Sequence, residues 1–474
     1  MDGRRISFKQ TAARTAMLAS LTVLVAACAS APSFDTPDAA FSGRVGLVET
    51  PVVVPGTQVK LAGSDFKPGQ EVRLSYGGAA LGQGPVVVGA DGKFATQFTV
   101  PANAPVGTHP VVVSASKPAA ALIHNLKVSP NLPLSGQDRY NAASQKLVPG
   151  LYQAAYSAKT DRVFVTAAVG RPPVSQSELV KVNAQTLAIE ARVTPPVAPA
   201  GPARPGAAAP AAPGVYAVYG VAVDDTNGTV WVTNTRQNTV AVYRQSDLAL
   251  VKQFDVGTVN HARDVVIDEA LGKAYASATG TPRVVVIDTK TLQVTKTIEI
   301  KTGVRGADKS FSPMSLELDR ANHKLYTVSM STEEAAVIDT RSDAVEKVFV
   351  VEGAKSASGV AFDAKTNRLV VASQGSDNLV IVDAASGKTL HDVKVGAGAL
   401  NVAIDHNRGL AYVANRGSGT VTVVSLDGKI VANLAGGTLP NHVIEDGKGS
   451  VFSVNKARGA EDPLGDRITR FTPR

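Results

Sequence analysis

A motif recurs six times along the C-terminal two-thirds of the chain: a short apolar run ends in an acidic residue, and a second β-prone run follows. The copies read GVAVDDTNGTVWVTN, DVVIDEALGKAYASA, SLELDRANHKLYTVS, GVAFDAKTNRLVVAS, NVAIDHNRGLAYVAN and HVIEDGKGSVFSVN. Their marker aspartates, Asp224, Asp268, Asp319, Asp363, Asp405 and Asp446, stand 44, 51, 44, 42 and 41 residues apart. A period in the low forties with several strands per period is the signature of a β-propeller, in which each unit covers the apolar face of its neighbour.

An earlier copy, YQAAYSAKTDRVFVTA from Tyr152, carries Ser157 in place of the aspartate, and Glu178–Val182 and Leu187–Val193 follow it as strands. Each unit offers an inner strand and a second strand (Phe164–Thr166, Val230–Thr233, Tyr412–Asn415). A third strand such as VVVIDTKT or LVIVDAAS and a fourth such as TLQVTKTIEI complete it. Four antiparallel strands make a blade, which predicts a seven-bladed propeller over residues 149–474. The last unit reaches only its third strand, Arg467–Phe471, before Arg474. Propellers suppress open sheet edges by closing the ring, so the missing strand is expected upstream. Gln145–Val148, at the end of a linker over 131–148, is the candidate.

The N-terminus reads as an export signal over 1–27. Arg4, Arg5, Lys9 and Arg14 precede an apolar run, Ala16–Ala27, too short to span a bilayer comfortably. Val25-Ala26-Ala27-Cys28 looks like a bacterial lipobox, with the Cys28 thiol as acylation site. Cys28 is the only cysteine, so its lipidation leaves no thiol for a disulfide, a nucleophile or a metal site. Several acyl chains, at ~0.8 kcal/mol per buried methylene, would anchor the protein permanently. Ala29 stands where an inner-membrane retention signal carries Asp, which favours the outer membrane, on the periplasmic side of a bacterial envelope. Loss of the leader lowers the formal charge from +8 to +5, a mild bias and no nucleic-acid signature by itself.

Residues 28–41 are small and polar and read as a flexible tether. Residues 42–130 hold the β-prone runs RVGLVET, TQVKLAGSDF, EVRLSYGG, PVVVGADG, KFATQFTV, THPVVVSAS and ALIHNLKV, with turn signals between them. Alternation such as Phe94-Ala95-Thr96-Gln97-Phe98 marks one buried and one wet face. Seven such strands predict a small immunoglobulin-like β-sandwich. Gly63 to Val72, Ala90 to Phe94 and Val100 to Thr108 resemble the Ig-like repeats of bacterial surface proteins, which implies a spacer or adhesive module.

Trp231–Asn234 (WVTN), Tyr412–Asn415 (YVAN) and the VID of Val286–Asp288 and Val337–Asp339 resemble the repeat of the YVTN β-propeller family. GLYQAAYSAKTDRVFVTA and LPNHVIEDGKGSVFSV are similar to the two ends of its YncE-like periplasmic seven-bladed branch, so the resemblance covers roughly 145–474. It implies the fold and leaves activity open. The lipobox, the Ig-like domain and a Pro/Ala-rich insertion over 195–214 depart from that branch; the insertion reads as a tolerated surface loop.

In a propeller the residues opening the innermost strands crowd around one channel mouth. Here they are Gln153, Gly220, Asp264, Ser315, Gly359, Asn401 and His442, preceded by Tyr152, Tyr219, Arg263, Met314, Ser358, Leu400 and Asn441. Loops between second and third strands add Arg171, Arg236, Arg283 and Arg416. The candidate ligand site is therefore Tyr152, Gln153, Tyr219, Arg236, Arg263, Asp264, Arg283, Asn401, Asn441 and His442.

Three functions fit it. One is a membrane-anchored binding or scaffolding protein, expected as a monomer, offering this polar face to a protein or glycan. Another is single-stranded DNA binding, with Arg171, Arg236, Arg263, Arg283 and Arg305 on phosphates and Tyr152 and Tyr219 stacking bases. Asp264, Asp308, Glu333 and Glu334 in the same region oppose it. The last is metal-dependent hydrolysis, for example of a lactone, using Asp264, Asn401, Asn441 and His442. The seven histidines show no H-x-H or H-x-x-H spacing, and no G-x-S-x-G elbow occurs. No catalytic residue, metal ligand or cofactor is assigned, and the binding role is the expected one.

Overall fold

Val, Ile and Thr dominate short runs punctuated by Gly, Asp and Asn, a composition that suits pleated strands and tight turns. The computed structural model describes residues 34–200, 213–304, 306 and 308–474. The export signal, Cys28, the first part of the tether, Arg305 and the centre of the Pro/Ala-rich insertion lie outside the described residues. Among the described residues the chain forms antiparallel sheets, interrupted only by the single-turn helices Gln137–Arg139 and Thr235–Gln237.

Two sheets come first. Arg44–Leu47, Gln58–Ser64 and Phe94–Thr99 form one; Ala79–Val87, Glu71–Tyr76, Gly107–Ser116 and Ala120–Val128 form the other, in that order. Their alternating residues meet in a core that includes Val59, Leu61, Val72, Leu74, Phe94, Phe98, Val111 and Val113. Phe66 packs edge-on against Phe41 and Phe94 at 5.2 and 5.0 Å. The fourth strand begins at Ala79, ahead of the PVVV run, because Gly77 and Gly78 supply the positive φ of a tight hairpin.

Seven four-stranded sheets follow among the described residues. Their first strands are Leu151–Ser157, Val221–Asp224, Ala262–Asp268, Pro313–Asp319, Ala357–Asp363, Ala399–Asp405 and Pro440–Glu445. Each packs on the first strand of the next sheet, and the last packs on Leu151–Ser157. This is an all-β, propeller-like fold. Cores lie between adjacent sheets: Trp231, Val240 and Val242 of one pack with Val265, Ala274 and Ala276 of the next. Trp231 is wholly buried, a core residue rather than a stacking platform.

The marker aspartates have a structural task. Each ends a first strand or, for Asp446, directly follows one, is buried, and accepts the backbone N–H of a residue three or four positions on: Asp224 from Asn227, Asp268 from Leu271, Asp319 from Asn322, Asp363 from Thr366, Asp405 from Arg408, Asp446 from Ser450. Ser157 does the same for Thr160. A short side-chain acceptor here holds the turn into the second strand.

In the last sheet, Arg467–Pro473 pairs with Tyr140–Lys146, in the register Arg467↔Lys146 to Pro473↔Tyr140. The outer strand thus lies five residues upstream of the expected start and ends at Lys146. Leu147 and Val148 instead turn inward, toward the core of the first ring sheet. The ends of the insertion are joined by a bridge between Val197 and Val215, with Ala198 N–H donating to Gly214 O at 2.8 Å.

Candidate ligand site at the channel mouth

The seven first strands enclose a cavity of about 280 Å³. At one end, each opening residue faces the next strand around the ring, and the side chain decides what happens there. Gln153 Oε1 accepts Val221 N–H at 3.2 Å, Asp264 Oδ2 accepts Leu316 N–H at 3.0 Å, and Asn401 Oδ1 accepts Val443 N–H at 2.8 Å. His442 Nδ1 accepts Ala154 N–H at 3.4 Å and so links the last sheet to the first. Gly220 has no side chain to offer Val265, and there Asp264 turns its other oxygen, Oδ1, onto its neighbour's N–H at 3.0 Å. Gly220 and Gly359 are themselves set by close approach. A Cβ at Gly220 would lie 2.8 Å from Arg263 O, and one at Gly359 2.7 Å from Asn401 Cα. Much of the expected ligand ring is therefore a belt of hydrogen bonds between sheets.

The charge states match these bonds. Burial raises the Asp264 carboxyl above its ordinary range, against the pull of Arg263. Burial, reinforced by Arg263, lowers the His442 imidazole to about 3, so it is neutral and able to accept at Nδ1.

The layer above the belt is basic and aromatic. Tyr152 and Tyr219 meet edge to face at 4.8 Å. The Arg263 guanidinium lies over the Tyr152 ring at 5.2 Å, and that of Arg236 over Tyr219 at 5.9 Å, with Arg236 Nε donating to the Tyr219 hydroxyl at 3.3 Å. Asn441 joins two elements: its Nδ2 donates to Tyr152 O at 2.6 Å, and its Oδ1 accepts from Arg416. Lys456 donates to Ala168 O at 2.9 Å.

The structure thus gathers Tyr152, Gln153, Tyr219, Arg236, Arg263, Asp264, Asn401, Asn441 and His442. Arg283 is left out: it is exposed at the start of a third strand, paired with Ala278 and Glu299, and does not join this cluster. Arg171 is exposed in its loop. Glu334 is buried and accepts from Thr302 and Gly303. Lys456 escaped the sequence reading, although a signal for it exists: Arg416 and Lys456 each follow the asparagine ending a second strand, Asn415 and Asn455.

The proposed metal ligands are already engaged in these bonds. Among the described residues no group of three His, Cys, Asp or Glu side chains is arranged to hold a metal ion. At the other end of the cavity lie Glu317, Arg320, His406 and Glu445, which sequence reasoning also missed. Burial pushes the Glu317 carboxyl up to about 8, and burial likewise raises Glu445.

The N-terminal sheets sit on the mouth side. Lys127 Nζ donates to Gln374 O and to Asp377 Oδ1, both at 2.8 Å, in the loop between second and third strands of one sheet. A cleft of about 500 Å³ runs between Leu47, Pro51 and Val52 on the N-terminal side and Arg416, Leu439 and Arg458 on the ring.

No family model matches the chain, and no curated protein does. Solved structures do match, at identities that speak to fold alone. Hydrazine synthase of Kuenenia stuttgartiensis is 16% identical, with a TM-score of 0.53 over 66% of this chain and 94% of that one. A catalytically inactive virginiamycin B lyase of Staphylococcus aureus, with quinupristin, is 12% identical, with a TM-score of 0.54 over 71% of this chain and 100% of the other. The protein U3-55K is 9% identical, with a TM-score of 0.55 over 72% and 100%. All agree with a propeller-like fold.

Proposed function

We propose that the chain is an envelope lipoprotein of the YVTN-repeat type that binds a protein or glycan ligand at its channel mouth. In this reading residues 1–27 direct export, acylated Cys28 holds the protein on the periplasmic side of the outer membrane, and an immunoglobulin-like sandwich carries a monomeric seven-bladed propeller. Ring closure through Tyr140–Lys146 and seven successive four-stranded sheets support the blade count. The order of strands in the first two sheets supports the sandwich.

The observation that carries the binding role is the cleft between the N-terminal sheets and the mouth. It is concave, combines apolar Leu47, Pro51, Val52 and Leu439 with basic Arg416 and Arg458, and opens beside residues that differ from repeat to repeat. Base stacking is less favoured, because the rings of Tyr152 and Tyr219 are already covered by Arg263 and Arg236. Hydrogen exchange of the full chain in detergent, with and without soluble peptidoglycan fragments, tests the reading. Protection is expected in segments 260–264, 312–315, 397–401, 416–418 and 438–442. No protection, or protection confined to outer strands, counts against it.

A further inference from the structure

We propose that the mouth contains an oxyanion subsite, built from Arg263, Arg416 and Lys456, that takes a phosphate group. The inference rests on the reading of the mouth as the ligand face and gives that ligand a chemistry.

Arg263 is the central observation. It is 7% exposed, its Nη1 is fully buried, and among the described residues its guanidinium has no hydrogen-bond acceptor and no ion-pair partner. The Tyr152 ring lies against it, at 5.2 Å. A buried guanidinium whose donors meet no acceptor is costly, and proteins keep such groups where a ligand completes them. Its neighbours meet acceptors, but neutral ones. Arg416 meets the neutral amide oxygen of Asn441, and Lys456 the neutral carbonyl of Ala168. Burial first, and then the positive charge of Arg263, hold Arg416 below its ordinary range; burial and then Arg416 do the same to Lys456.

The nearest carboxylates are occupied. Asp264 accepts from Val265 and Leu316 N–H, and Asp466 from Gly150 and Ala457 N–H. Three cations thus gather around Tyr152 and Asn441 without a carboxylate paired to any of them. Their charge exceeds what one carboxylate neutralises. Two guanidinium forks and an ammonium suit a tetrahedral dianion, which presents oxygens to all three at once. Arg416 also borders the cleft, so the rest of a ligand has room there.

The test uses the full chain in detergent, in phosphate-free buffer, titrated by calorimetry with inorganic phosphate, glucose 6-phosphate and glucose. A saturable response to either phosphate and none to glucose is expected. The stronger of the two identifies a free anion or a phosphomonoester as the natural form. Arg263→Gln should weaken binding at least tenfold, and Lys456→Met should weaken it too. Without phosphate the Arg263→Gln protein should melt no lower than the wild type, because an uncompensated buried charge has been removed. If Arg263 is purely structural, the variant melts lower and its phosphate response is unchanged. That result, or no saturable response at all, overturns the proposal. Peptidoglycan protection at the mouth without a phosphate response removes only the subsite. A phosphate response lost in Arg263→Gln, with peptidoglycan protection elsewhere, keeps the subsite and removes the assigned ligand.

Discussion

The residues that open the first strands do two jobs that the chain keeps apart by depth. Gln153, Asp264, Asn401 and His442 accept N–H groups from the next sheet, and Tyr152 and Arg263, each just before one of them, belong to the basic and aromatic layer. A buried N–H left without an acceptor costs about 1–3 kcal/mol, so the belt is a stability device before it is a site. His442 gives it a pH dependence. Its folded-state value of about 3 lies below the ordinary 6.5, so between those values the unfolded chain holds one more proton than the folded one. Stability from this group is present above pH 6.5 and is lost as pH falls toward 3. Melting temperature followed across that window should drop in the wild type. It should drop less in His442→Asn, which keeps an acceptor and does not titrate. Identical profiles would mean that His442 is not held neutral by the fold.

At the level of elements, the repeat is maintained by local chemistry. The marker aspartate stands at the end of each inner strand, or just past it at Asp446, because its carboxylate caps the turn that follows, and Ser157 fills the same place with a hydroxyl. Ring closure is different, since it joins residues more than three hundred positions apart. Tyr140–Lys146 is exposed over most of its length, but Tyr140 is buried against Tyr412 at 6.2 Å, and Arg467 Nε donates to Ser144 Oγ at 2.9 Å. Burying Tyr140 alone is worth about 2 kcal/mol, or several degrees in melting temperature. A chain starting at residue 132 should therefore melt several degrees above one starting at residue 148. Equal melting by calorimetry would show that the outer strand contributes nothing to the ring.

For the whole molecule, the N-terminal sheets dock on the face of the ring that bears the cleft, and the proposed anchor at Cys28 lies upstream of those sheets. If Cys28 is acylated, the wild type should enter the detergent phase on phase separation and Cys28→Ser should stay in the aqueous phase. A variant that still partitions into detergent would refute the anchor. The amino-acid sequence by itself determined the periodic part of this protein. Strand alternation, turn residues and a spacing in the forties are properties of neighbours along the chain, and they specify sheets whose faces need covering. The same local reading found the end of the closing strand, Gln145 and Lys146, but not its start at Tyr140, because only pairing with Arg467–Pro473 defines how far it runs. It could name Arg263 and Tyr152, but not that they stack, nor that Lys456 joins them. Those contacts link the first, third and last sheets of the ring. Only closure of the ring brings such distant groups within reach, and only burial at the mouth makes an arginine without an acceptor informative.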